Sequence, residues 1–166
     1  MTKAINQNAA RQLHAYYVPW REGCNLLLPA TVVAEILYHL EVIPLEHDSA
    51  WVQGGVDWRG LTVPLISFDE MDDIPAKATG ETRRVLICRT LSSGDRYSYV
   101  AIDFYRLPRM LFVDESSLVV IEEGRASSEW PFVATVVDIR GNTIYVLDME
   151  KLSNLIESPD DRLAIA

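Results

Sequence analysis

A chain of 166 residues with 24 acidic and 15 basic side chains, a formal net charge of −9, is a poor partner for nucleic acid or an anionic membrane surface, because both would repel it. Its hydrophobic fraction of 49% excludes bulk disorder, its length suits a core held without disulfides, and no run approaches the ~20 apolar residues of a membrane span. The start, MTKAINQNAARQ, lacks an apolar signal core, so a cytoplasmic location is expected.

Residues 1–12 are polar and unpatterned and read as a flexible tail. Residues 13–20 (LHAYYVPW) and 24–28 (CNLLL) predict a hairpin turning around Arg21, Glu22 and Gly23. Residues 29–37 are apolar with one acid, Glu35, and fit a strand or one helical turn entering a strand. Residues 42–45 are short and bent by Pro44. Within 51–66, Gly54 and Gly55 read as a flexible turn.

Residues 71–82, MDDIPAKATGET, have the composition of a hinge. Strand candidates follow at 84–90, 97–103, 110–113, 118–121, 132–139 and 143–148. In 149–156 the apolar positions Met149, Leu152, Leu155 and Ile156 have helical spacing, and 158–166 is expected to be a tail. Short strands at such intervals point to two all-β barrels or sandwiches.

Residues 56–66, VDWRGLTVPLI, return at 137–147 as VDIRGNTIYVL, a constant offset of 81. Self-similarity at a fixed offset means that one supersecondary unit is used twice. A doubled β-unit has a seam between its halves, and a seam can bind without any catalytic residue.

Signals for chemistry are weak. His14, His39 and His47 have no metal-ligand spacing, and no metal or cofactor is implied. The acids Asp69, Glu70, Asp72 and Asp73 lack a calcium loop's alternating ligands and glycine, so a charged helix start is the simpler reading. Phosphate-binding glycine loops and the GxSxG elbow are absent, and Ser116, Ser117, Ser127 and Ser128 have no adjacent base. Cys24 and Cys88 lie in apolar runs and read as buried free thiols. Trp20 and Trp51 are expected in the core. Trp58, in the turn Asp57–Trp58–Arg59–Gly60, is open between core and interface.

The first repeat copy resembles the CheW family of chemotaxis coupling proteins. The matching residues are Gly55–Val56–Asp57–Trp58–Arg59–Gly60 followed by Val63–Pro64–Leu65–Ile66, together with Val33–Ala34–Glu35–Ile36. The resemblance spans about residues 13–156, nearly the whole chain. It implies a mainly β fold: two pseudo-twofold-related five-stranded barrels, roughly 13–75 and 83–157 with intertwining allowed, and a short C-terminal helix. It further implies a non-enzymatic adaptor between methyl-accepting chemoreceptors and a CheA-type histidine kinase.

Carried over, Glu35 and Arg59 match the family's neighbouring acidic and basic positions. Val33, Ile36 and Leu37 are then expected to line an apolar groove flanked by Trp58 and Arg59, with at least one of the three aliphatics in plain core. The second half departs from the family pattern, because Tyr99–Val100–Ala101–Ile102–Asp103 leads to Pro108, where a strand must stop, bulge or lie at an edge. That divergence suggests an accessory adaptor, in a system serving pili or surface motility. The alternative is a small-molecule-binding or hydrolytic β-barrel protein using the groove between barrels.

Overall fold

Both faces of the first hairpin are apolar, so both must be covered. β1 (Gln12–Arg21) runs antiparallel to β2 (Cys24–Pro29), with Gly23 supplying left-handed backbone, φ 75°, at the turn. The computed structural model describes residues 12–21, 23–47, 51–67, 82–91, 96–114, 116, 118–122 and 131–157. The expected hinge at 71–81, the four acids from Asp69 to Asp73, Ser117, Ser127, Ser128, Trp130 and the tails at 1–11 and 158–166 lie outside them.

A single 3-10 turn (Ala30–Val32) enters β3 (Val33–Glu41). The first repeat copy is the hairpin of β4 (Val52–Trp58) and β5 (Leu61–Ile66). Then come β6 (Thr82–Arg89), β7 (Tyr99–Asp103), β8 (Arg109–Asp114) and β9 (Val119–Glu122). The second copy is β10 (Val133–Ile139) with β11 (Asn142–Leu147), followed by α1 (Met149–Glu157). Pro108 does break the chain between strands: β7 stops at Asp103 and β8 begins at Arg109.

The two copies match residue for residue. Arg59–Gly60 and Arg140–Gly141 have φ of 54° and 78°, and 54° and 83°. Positive φ at both central positions gives the hairpin turn whose twist suits its strands. Each hairpin also carries an irregularity at the same place, between Val52 and Gly54 and between Val133 and Thr135.

Sheet membership crosses the sequence. The order β3-β6-β7-β5-β4 forms one sheet and β8-β1-β2-β11-β10-β9 the other. The hairpin β1–β2 thus joins the later strands, and β6–β7 joins the earlier ones. In each sheet the transferred hairpin pairs in parallel with the second strand of a repeat copy. One sheet has the expected five strands. The other has six, because β9 forms a short ladder with β10 from Val136 to Asp138, whereas the corresponding stretch beside β4 is the single antiparallel bridge Ile43↔Gly55. Pro44 explains that shortness, since it has no N–H to extend the ladder.

The sequence expectation for Gly54 and Gly55 is corrected here: they lie inside β4 and make no turn. At Gly54, φ 139°, a Cβ would sit 2.8 Å from the Ile43 carbonyl oxygen. The absent side chain lets Ile43 and Gly55 exchange two 2.8 Å backbone hydrogen bonds that curl the sheet shut.

Three apolar clusters follow. Val56, Trp58, Val63, Leu65, Val85 and Ile87 fill the five-stranded sheet. Ala15, Leu27, Val113, Val137 and Ile144 fill the six-stranded one. The central cluster, including Val18, Leu26, Leu28, Cys88, Val100, Ile102 and Phe132, joins them. Trp20 is buried there as expected, and Trp51 is half-buried with its ring 5.3 Å from Phe132.

Helix α1 seals this centre with Met149, Leu152 and Ile156. Asp148 caps it by accepting from Lys151 N at 3.0 Å. Buried Ser153 donates to the Met149 carbonyl and accepts from Leu91 N at 2.8 Å, and Glu157 accepts from Tyr97 N at 2.8 Å, so the helix fixes the β6–β7 connection.

Candidate functional site

Strand β3 is an edge strand with two register shifts, between Val33 and Glu35 and between Leu37 and Leu40. The first shift changes which side chains share a face. Val33 and Ile36 pack against the central cluster, whereas Leu37 packs into the five-stranded sheet's own core. The three aliphatics therefore do not form one wall, and all three are half-buried. Leu37 is the one in plain barrel core.

Glu35 comes to the end of β4 on the Leu37 side. Its Oε2 accepts from the Trp58 indole N–H at 2.7 Å and from Arg59 Nη2 at 3.1 Å. Arg59 Cζ lies 4.9 Å from the Trp58 ring centroid, and Tyr99 meets that ring edge-on at 4.7 Å. Trp58 is 7% exposed and belongs to the core, while Arg59 is 70% exposed. The indole is thus a buried platform, Glu35 a fastener, and the guanidinium the group shown to solvent. Glu35, Trp58 and Arg59 are brought together. Val33 and Ile36 lie on the other face of the same strand.

The internal symmetry identifies what occupies these positions in the other sheet. Leu65 and its repeat partner Val146 pair with Ala101 and Leu27, which pair with Ile87 and Tyr17. Those in turn pair with Glu35 and Arg109. The counterparts of Glu35, Trp58 and Arg59 are therefore Arg109, Ile139 and Arg140. They line a cavity of about 470 Å³, together with residues that include Tyr17, Leu111 and Ile144. Sequence reasoning missed this site. The offset of 81 leads from Trp58 and Arg59 to Ile139 and Arg140, but Arg109 sits on a strand outside the repeat.

A second cluster missed from the sequence is buried where β5, β6 and β7 meet. Asp103 Oδ2 accepts from Arg83 Nη1 at 3.0 Å and from Ser67 Oγ at 3.2 Å, and Arg83 and Asp103 are each 6% exposed. Its place among apolar strands makes it a structural tie. Cys88 is a free thiol in the central core, and burial pushes its pKa up to about 12, so it is not a nucleophile at neutral pH. Among the described residues there is no group of three or more His, Cys, Asp or Glu able to hold a metal, and no helix long and apolar enough to cross a membrane.

The crystal structure of the scaffolding protein TtCheW from Thermoanaerobacter tengcongensis is similar in fold, with a TM-score of 0.65 over 85% of this chain and 92% of that one at 14% identity. The sequence has no match among curated proteins. The model of the CheW-like domain matches residues 22–157, from the β1–β2 turn to the last residue of α1 and hence both repeat copies, and the chain belongs to the CheW-like domain family.

Proposed function

We propose that the protein is a non-enzymatic adaptor that couples methyl-accepting chemoreceptors to a CheA-type histidine kinase in a bacterial chemosensory system. The observation that carries this reading is the family match across residues 22–157, which spans both curled sheets. The scaffolding role named for the TtCheW structure agrees with it. The partner-binding surface we assign is Glu35, Trp58 and Arg59 with Leu37 beneath them, and Val33 and Ile36 form a second, central-facing part on the opposite face of β3.

Arg59 supports the assignment physically. An arginine in left-handed backbone, φ 54°, is strained relative to the asparagine or glycine such a turn prefers. Its pair with Glu35 is exposed and contributes only about 0–1 kcal/mol to stability. Stability alone does not account for an arginine there, whereas a planar donor fork held over an indole is ready to meet a carboxylate on a partner. We also propose a divergent, accessory place for this adaptor, with pilus-based or surface motility as the output, on the strength of the second half's departures from the family pattern.

Co-sedimentation with receptor-containing membranes and kinase tests the role. The parent protein should enter the pellet with receptor-containing membranes and carry the kinase into it, and Arg59→Ala should reduce the co-sedimenting fraction several-fold. A parent that stays in the supernatant overturns the adaptor reading. Undiminished binding by Arg59→Ala removes only Arg59 from the surface.

A further inference from the structure

The two barrel ends differ in what fills them. In the five-stranded sheet, Trp58 shares one apolar cluster with Leu37, Leu40, Val63 and Ile87, and its N–H is held by the Glu35 carboxylate. In the six-stranded sheet the corresponding positions are Leu111, Val113, Ile144 and Tyr17, but the indole is replaced by Ile139 and the carboxylate by Arg109. The end that has lost both an aromatic ring and an anion carries a cavity of about 470 Å³, a volume within the range of small-molecule sites.

Its chemistry is specific. Tyr17, Leu111, Ile139 and Ile144 give apolar walls, and Arg109 and Arg140 line the same space. Among the described residues neither guanidinium forms an ion pair with a carboxylate, although the chain carries a net charge of −9. Two cations at one apolar cavity select an anion with an apolar body. The amide of Asn142, at the mouth of the hairpin, adds a polar group without a charge.

We propose that this cavity binds a small aryl carboxylate, whose ring takes the place that Trp58 fills in the other sheet and whose carboxylate takes the place of Glu35. This site is independent of the adaptor surface and lies at a barrel end, away from the packed centre between the sheets. An effector bound there would sit next to the Arg140 hairpin turn, the counterpart of the turn assigned to partner binding.

The test is a titration of the full chain with indole-3-acetate, followed by amide chemical shifts and calorimetry. Saturable binding is expected with a dissociation constant of about 1 mM or tighter, the range for a ligand of this size. Shifts should centre on Tyr17, Leu111, Ile139 and Arg140. The neutral indole-3-acetamide should bind about 10-fold more weakly, because the charge-assisted hydrogen bonds are lost.

The double variant Arg109→Glu with Ile139→Trp rebuilds the plugged arrangement and should abolish binding. Ile139→Trp alone fills the void, so it should weaken binding without lowering the melting temperature, which keeps the test independent of the double variant's folding. Absence of saturable shifts at these residues, equal affinity for the amide, or unchanged binding in a folded Ile139→Trp protein each overturns the proposal. A peptide bearing adjacent aromatic and acidic residues that outcompetes indole-3-acetate by about 100-fold overturns the small-molecule assignment in favour of a protein segment.

Discussion

Trp58 donates its indole N–H to Glu35 over 2.7 Å, and the residues at the same two positions of the other sheet are Ile139 and Arg109. One fold position therefore holds a donor matched to an acceptor, and its counterpart holds an apolar side chain beside a cation. The first end is filled by the Trp58 indole and shows Arg59 and part of Glu35 to solvent. The second is open.

Replacing Trp58 by phenylalanine keeps an aromatic ring against Tyr99 and removes the donor. Glu35 is about a third exposed, so water recovers part of the lost hydrogen bond. The expected cost is about 1–2 kcal/mol in a urea titration, below the full value for a hydrogen bond to a charged group in a dry site. In a double-mutant cycle with Glu35→Gln the second substitution should cost less than it does alone. Additive effects would mean that the contact does not couple the two residues.

Arg59 separates fold from function. Asparagine accepts left-handed backbone more readily than arginine, so Arg59→Asn should unfold at the same temperature as the parent or slightly higher. The same variant should lose receptor–kinase co-sedimentation to the extent that Arg59→Ala does. Retained binding in Arg59→Asn would show that the turn, and not the guanidinium, is what a partner reads.

Much of this fold is legible in the sequence, because strand spacing and turn chemistry are local. The Arg-Gly turns, the β1–β2 hairpin, the helical turn before β3, the stop at Pro108 and the spacing of α1 all follow from neighbours in the chain. Sheet membership does not, since nothing local tells β1 and β2 to pair with β8 and β11. Gly54 and Gly55 illustrate the same limit. Two adjacent glycines look like a turn, but their purpose is the approach of Ile43, and that contact is visible only once the sheet curls. At the candidate site, Glu35 and Arg59 came from family likeness. The face of Leu37 was hidden because the irregularity after Val33 reverses the alternation along β3.

The buried tie between Arg83 and Asp103 was hidden for a related reason: isolated charges in a strand usually mark a solvent face. Removing one partner leaves the other charged and dry. Asp103→Ala should therefore cost about 3–5 kcal/mol in denaturant unfolding. The double variant Asp103→Leu with Arg83→Met removes both charges and should be more stable than the single variant. A double variant weaker than Asp103→Ala would show that the pair does more than neutralise itself.

Gly54→Ala places a methyl group 2.8 Å from the Ile43 oxygen at a φ of 139°. The bridge must open or the backbone must shift, at an expected cost of about 1–3 kcal/mol or more. Gly60→Ala is the control: its φ of 78° carries conformational strain, but nothing lies within 4 Å of an added Cβ. The amides of Ile43 and Gly55 should exchange with solvent faster in Gly54→Ala and remain protected in Gly60→Ala. Unchanged protection in Gly54→Ala would show that the bridge tolerates a side chain there.

Cys88 ties stability to pH. Its thiol titrates near 9.0 when the chain is unfolded and is pushed up to about 12 by burial. The folded state therefore holds the proton that the unfolded state releases, and the slope of stability with pH is negative in that interval. The contribution is complete below pH 9 and is lost between pH 9 and about 12, at about 1.4 kcal/mol per pH unit. Val18 occupies the equivalent position on β1 of the other sheet, which makes valine the natural replacement. In a Cys24→Ser background, Cys88→Val should remain folded and flatten the alkaline limb of the urea midpoint against pH. If the limb keeps its slope in that variant, another group titrates there and the thiol is not the cause.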